Sequence, residues 1–281
     1  MYKFISVLSL LISMNSLATQ IYDTLYINKD TVTIGLQNMQ LCVFNDSSDF
    51  KPFNHFFEIL NDDTLQIHVI NNDSLPHSFT VDGVIDEPIL AFGSADIELA
   101  LDPEMAYRYY SNDSNGDLLG ASGIIMKGYS NYEKFYWNMF EQSSQLSFDL
   151  AALTQTSVPT TYIPDVFTIN QKVFPQTQMD TLGKVNAFVN DTLIITTVNS
   201  GKMEHTLHFH GFHVEILQVT HNTKMLGWEK DTYPLEIDEI IVVRLIPHQA
   251  GTYPVHEHNL LNVTTSGSYP GGMIEILTIS P

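Results

Sequence analysis

The chain has 281 residues, 44% of them hydrophobic, enough to bury a sizeable core as one large domain or two of ordinary size. Asp and Glu number 32 against 12 Lys and Arg, a formal charge of −20 that disfavours nucleic acid as a partner, because phosphate contacts need cations. The lone cysteine, Cys42, excludes an internal disulfide and leaves no second thiolate for a metal site elsewhere in the chain.

The first segment, "MYKFISVLSLLISMNSLATQ", has one lysine, an apolar run from Phe4 to Ile12, and then Ser16-Leu17-Ala18. That order is the pattern of a secretory signal peptide over residues 1–18, with the mature start near Thr19 and export to the periplasm or the extracellular space. The run is shorter than the roughly 20 apolar residues a membrane span needs, and no later segment qualifies as one. Beyond it, helix signals are sparse. Short segments rich in β-branched and aromatic residues recur instead: "TLQIHVIN" from Thr64, "TLIITTVN" from Thr192, "EIIVVRLIP" from Glu239 and "GGMIEILTI" from Gly271. This texture predicts an all-β chain of antiparallel sandwiches. The stretch "SNYEKFYWNMFEQSSQLSFDL", residues 130–150, reads as a strand followed by a loop.

Two segments repeat. "NDDTLQIHVINNDSLPHSFTVDG" ends at Gly83 and "FVNDTLIITTVNSGKMEHTLHFHG" ends at Gly211. Thr64, Leu65, Ile67, Asn71, His77 and Gly83 match Thr192, Leu193, Ile195, Asn199, His205 and Gly211 at a constant offset of 128 residues. The expectation is a tandem of two similar domains, 19–155 and 156–281. The join is placed in "LTQTSVPTTYIPD", where Pro159 and Pro164 interrupt regular structure.

Residues 205–213, "HTLHFHGFH", hold four of the chain's 11 histidines. On a strand, residues two apart share a face, so His208 and His210 lie together and His205 points the other way. "TYPVHEHNLL" repeats the pattern, with His256 and His258 on one face and Glu257 on the other. If the two strands are neighbours, four imidazoles meet on one side, and His205 meets Glu257 on the other. Neutral imidazole is the usual ligand of copper and zinc, so the first patch is a candidate metal site. The bland counterpart is a set of satisfied core histidines. His55, His68, His213, His221 and His248 lack partners at ligand spacing and read as ordinary histidines.

These residues resemble the multicopper oxidases (laccases and their two-domain relatives). "FTINQKVFP" is similar to the opening strand of their C-terminal domain and "HTLHFHGF" to its H-P-x-H-x-H-G motif. "WEKDTYPL", "VVRLIPHQAGTYPVHEH" and "GGMIEIL" resemble the segments that follow, while "HSFTVDG" and "YRYYSNDSNGDLLGASGIIM" fall at the corresponding places of the first domain. The resemblance implies two tandem cupredoxin-like Greek-key sandwiches and copper as cofactor, with zinc as the other metal such donors accept. It also brings up a homotrimer, the assembly of many two-domain relatives.

The family's ligands carry over unevenly. His205 matches the first histidine of the blue-copper centre, but Glu257 stands where the cysteine belongs and Asn262 where the second histidine belongs. Met273 lies too far along the chain to match the axial ligand. Of the four H-x-H pairs that hold the family's oxygen-reducing cluster, His208/His210 and His256/His258 match two. The other two fall on Thr80/Asp82 and Tyr110/Asn112, where only Asp82 is a credible ligand. The leading expectation is therefore an exported copper-binding protein whose metal residues are His208, His210, His256 and His258, with His205, on the opposite face, as a further candidate metal residue. The electron-relay site is lost, and any oxidoreductase activity is residual or altered. The alternative is a non-catalytic cupredoxin scaffold acting in binding or copper handling. For His205 and Glu257 two readings stand: a small His/carboxylate site, or a hydrogen bond filling vacated space.

Overall fold

A computed structural model describes residues 19–281; the signal-peptide expectation, residues 1–18, lies outside the described residues. The chain opens with β1 (Gln20–Ile34), β2 (Gln37–Asn45), β3 (Phe56–Ile59), β4 (Thr64–Asn71), β5 (His77–Val81), β6 (Ile85–Ile89), β7 (Ser94–Leu99), β8 (Met105–Tyr110) and β9 (Ser122–Lys127). Next come β10 (Glu133–Gln142), helix α1 (Ser144–Ala151), β11 (Val166–Ile169), β12 (Asn186–Phe188), β13 (Leu193–Asn199), β14 (His205–Phe209) and β15 (Val214–Val219). The rest is β16 (Glu229–Lys230), β17 (Thr232–Leu235), β18 (Ile240–Leu245), β19 (Gly251–Glu257) and β20 (Ile274–Ser280). The β-branched segments singled out in the sequence fall in β4, β13, β18 and β20.

These strands make two sandwiches. Sheets of order β2-β1-β4-β7 and β3-β9-β8-β5-β6 face each other across a core that includes Leu25, Ile67, Phe79 and Tyr109. Sheets of order β11-β10-β13-β18-β15-β16 and β12-β20-β19-β14-β17 enclose a second core that includes Trp137, Leu207, Phe209 and Tyr233. β4 has the alternating burial of a sheet with one wet face, whereas β13 is buried along its whole length. The difference is tertiary. A seam of Ala106, Ile124 and Met126 from the first sandwich packs on Tyr136, Ile194, Val198, Ile240 and Val242 of the second. Further along, Met39, Leu41 and Val43 meet Phe140, Val166 and Val173.

The internal repeat is visible bond by bond. Asn71 Nδ2 donates to the Leu75 carbonyl at 2.8 Å and its Oδ1 accepts from Asp73 N at 2.9 Å. Asn199 does the same with Met203 at 2.7 Å and Gly201 at 2.9 Å, the same offset along the chain. Each asparagine ties the chain back as it leaves its strand. β4 runs parallel to β1 and antiparallel to β7, and β13 has the same relation to β10 and β18. β10, which the sequence reading placed within 19–155, thus bonds to the strands that follow it.

Residues 144–151 correct the expectation of a loop. They form a helix whose first turn is capped by Ser143, with Oγ accepting from Leu146 N at 3.3 Å. Leu146 and Leu150, one helical turn apart, are buried against the first core. Ser143 and this spacing carried the signal, outweighed in the sequence by the β-rich flanks.

Candidate metal centre

β14 and β19 are antiparallel neighbours, with His208 opposite His256 and Leu207 opposite Glu257. That register puts both H-x-H pairs on the same face of the sheet. The His208 ring centroid lies 4.8 Å from that of His210 and 5.7 Å from those of His256 and His258. The rings of His210 and His256 are 5.1 Å apart, with their Nε2 atoms at 3.0 Å. His208 and His256 are half-buried and His210 and His258 exposed, so the patch opens to solvent.

The donor set can be read from the hydrogen bonds. His256 Nδ1 lies 2.8 Å from the Glu257 carbonyl oxygen, which can only accept; Nδ1 therefore carries the proton and Nε2 keeps its lone pair. That lone pair faces His210 Nε2. Burial first, and then the neighbouring His208 and His256, hold His210 below the ordinary histidine range, which favours its neutral, ligating form. His208 is steadied by Thr232 Oγ1 at 2.7 Å from its Nδ1. Two nitrogens each about 2.0 Å from a shared ion stand about 3.3 Å apart in a tetrahedron, close to the spacing of the facing Nε2 atoms. Among the described residues, no three His, Cys, Asp or Glu side chains already form a finished metal shell. The patch offers an open set of imidazole donors, a set that fits copper.

His205 lies on the other face of β14 and is fully buried. Its Nε2 is 3.0 Å from Glu141 Oε2, on β10, a residue the sequence reading missed. Its Nδ1 is 3.5 Å from Asn262 Nδ2 and 4.0 Å from Glu257 Oε1. Histidine, Glu257 and Asn262 do converge, as the resemblance requires, but Glu257 is occupied otherwise. It accepts from the backbone N–H of Thr206 at 3.1 Å and of Asn259 at 2.5 Å. Burial, only partly offset by those bonds, raises its pKa. Asn262 Oδ1 is buried without a partner, and Met273 is fully buried.

The corresponding places of the first sandwich are hydrogen-bonded among themselves. Thr80 Oγ1 donates to Asp86 at 2.7 Å, Tyr110 OH donates to the exposed Asp82 at 2.7 Å, and Asn112 Nδ2 reaches Asp86 at 3.3 Å. His77, the counterpart of His205, is fully buried; its Nε2 is 3.0 Å from Asp73 and 4.0 Å from Cys42 Sγ, and its Nδ1 is 3.0 Å from Ser111 Oγ. Three of the histidines read as ordinary pair with carboxylates: His55 with Asp23, His68 with Asp96 and His221 with Glu236.

Two tandem β-sandwiches with an H-x-H pair on each of two adjacent strands define a cupredoxin-like fold. Residues 147–269 match the family described as multicopper oxidase, and the chain is multicopper-oxidase-like, as its motifs imply. The blue copper oxidase from Nitrosomonas europaea is similar in structure, with a TM-score of 0.77 at 17% identity over 93% of this chain and 86% of that one. The multicopper oxidase mgLAC gives a TM-score of 0.77 at 19% identity, covering 94% of this chain and 87% of its own. A copper nitrite reductase from Nitrosomonas europaea gives 0.69 at 15% identity, with 93% and 94% covered. No curated protein matches the chain in sequence. No helix among the described residues is long and apolar enough to cross a membrane.

Proposed function

We propose that this is an exported copper-binding protein that holds its metal through His208, His210, His256 and His258 and lacks the electron-relay site of the oxidases it resembles. The observation that carries the reading is the β14/β19 register, which sets His208 opposite His256 and leaves the His210 and His256 Nε2 atoms 3.0 Å apart. Bound copper would supply a redox-active Lewis acid on a solvent-open face of the sheet. The chain's own part is to orient the rings and fix which nitrogen faces the metal, through the Glu257 carbonyl on His256 and Thr232 on His208. His205 belongs to a buried hydrogen-bonded group with Glu141 and is not counted among the ligands. The exposure of His210 and His258 suits a site that a second copy of the chain completes, and a homotrimer is part of the proposal. The first sandwich is proposed to end near Lys127 and the second to begin with β10.

The test is elemental analysis of the purified, copper-reconstituted protein together with its visible spectrum. Copper bound without the intense band of a copper–thiolate is the expected result. Uptake of neither copper nor zinc at neutral pH ends the proposal; zinc taken up in preference to copper replaces the metal. One observation favours the scaffold alternative: the hydrogen-bonded network of Thr80, Asp82, Asp86, Tyr110 and Asn112, which holds no histidine and offers a neighbour's site only carboxylates. Under that reading the protein takes up no metal and stays folded.

A further inference from the structure

Between the two sandwiches lies a cavity of about 250 Å³, walled by Phe53, Phe56, Ile124, Tyr136, Met179 and Leu182. It shares no residue with the histidine patch. Most polar side chains along it are committed: Asn54 to Phe44 N and the Gly120 carbonyl, Asn138 to the Ser122 carbonyl and Ser200 Oγ. Asn170 bonds to Asn138 N and the Tyr136 carbonyl, and Asp180 to Asn170 Nδ2 at 2.6 Å and Leu182 N at 3.2 Å. His55 faces Asp23, Thr181 is exposed, and two donors remain. Gln171 is buried and its Nε2 has no hydrogen-bond partner. The Lys172 ammonium is held loosely, 3.5 Å from Asp180, 3.4 Å from the Asn170 carbonyl and 5.4 Å from the Phe53 ring centre.

The backbone adds an independent sign. Ile169 and Lys172 exchange both N–H···O bonds at 3.0 Å, and the two residues between them, Asn170 and Gln171, have φ of +52° and +56°. A two-residue turn of this kind favours Asn-Gly, since its second position is left-handed. Gln171 occupies a place where glycine would be unstrained, and its amide is left without a partner. A side chain at a strained backbone position with a buried, unpaired amide N–H is a combination found at ligand contacts.

We propose that this cavity binds a small aromatic monocarboxylate, its ring against Phe53 and the outer side of the Phe56–Tyr136 ring pair and its carboxylate on Gln171 Nε2 and Lys172 Nζ. Both available groups are donors, one of them charged, so the ligand brings the acceptors and the negative charge. The aromatic walls supply offset or edge-on ring contacts. Of the neighbouring acids, Glu275 is pushed up to about 8 by burial, with Asp180 beside it, and so is largely uncharged at neutral pH, while the Asp180 carboxylate is held by Asn170 and Leu182 and faces the Lys172 ammonium at 3.5 Å.

Titration calorimetry of the full chain with benzoate, benzamide and benzylamine tests this. Benzoate is expected to bind with Kd below about 1 mM, and benzylamine not at all. Lys172→Met abolishes benzoate binding. Gln171→Gly relieves the turn, so it raises the melting temperature while weakening benzoate about tenfold or more. This opposite movement distinguishes a lost contact from a damaged fold. Absence of benzoate binding, benzamide or benzylamine binding as tightly, or an affinity untouched by both substitutions overturns the proposal.

Discussion

At the scale of single residues, the two sandwiches solve one problem in two ways. Each buries a histidine at the start of an inner strand, His77 and His205, and each gives it a carboxylate 3.0 Å away. In the first sandwich the carboxylate is Asp73, which also takes Lys29 at 2.5 Å. In the second, the position matching Asp73 at the 128-residue offset is Gly201, while strand register, with Ile27 opposite Asn71 and Met139 opposite Asn199, sets Glu141 where Lys29 stands. A Cβ on Gly201 would stand 1.7 Å from Glu141 Oε2, so the glycine makes room for an acid delivered from the opposite strand. The exchange explains why Glu141 was not legible in the sequence: it emerges only once β10 is known to pair with β13. A stability prediction follows for the first sandwich. Burial alone would lower His77, but the Asp73 hydrogen bond, with Cys42 beside it, raises it from 6.5 to about 9; Asp73 is held well below its usual 3.8 despite burial. The His77 contribution is complete below pH 6.5 and is lost as pH rises through about 9, while that of Asp73 is complete above 3.8 and is lost in stronger acid. Asp73→Asn should cost about 3 kcal/mol in the window between. Urea melts across pH should show the deficit shrinking toward alkaline pH; a deficit constant from pH 5 to about 10 rules out the His77 linkage. At the other site, Glu257→Cys should create no copper–thiolate absorption, because Asn262, 3.5 Å from His205 Nδ1, supplies no ring nitrogen. An intense visible band in that variant would show that a different ligand completes the site.

At the scale of elements, alternation along a strand made the histidine patch readable: His208 and His210, then His256 and His258, had to share faces once they lay on strands. That the two strands are neighbours was a matter of long-range register, which spacing does not encode, and the family likeness supplied it. α1 was misjudged for the opposite reason, because its cap and its i, i+4 leucines were local signals set in a β-rich context. The turn after β14 bears on the patch directly. Gly211 has φ of +79°, and a Cβ there would stand 2.7 Å from the Tyr253 ring. Gly211→Ala should destabilise the protein by about 1–3 kcal/mol and displace His210, the residue just before the turn. Copper affinity, measured by competition with a chelator, should fall with it; an unchanged affinity would remove His210 from the ligand set. Affinity should also fall as pH drops through the histidine range, since ligation needs neutral rings, and a flat response between about pH 7 and 5 argues against imidazole ligation.

At the scale of the whole molecule, the question is whether two repeats make two folding units. Internal identity at constant offset argues for independence, and each sandwich does enclose its own core. The seam argues the other way. Residues of β13 that would face water in a lone sandwich, Ile194 and Val198, are buried with Ile240 and Val242 against Ala106, Ile124 and Met126. Polar contacts pin the same join: Gln218 bonds to both backbone groups of Ala106, at 2.8 and 2.9 Å, and Arg108 Nη1 donates to Asp238 at 2.8 Å. Separating the sandwiches would expose this apolar surface at a cost of about 25 cal/mol for each Å², so neither half should survive the melting of the other. Calorimetry should show a single transition whose van't Hoff and calorimetric enthalpies agree. Val242→Asp places an unpaired carboxylate in the seam while leaving the backbone pairing of β18 with β13 in place, and it should split that transition into two. Two transitions already present in the unmodified protein would mean that the seam is too weak to couple the halves, and the cavity between them would then open as the first half melts.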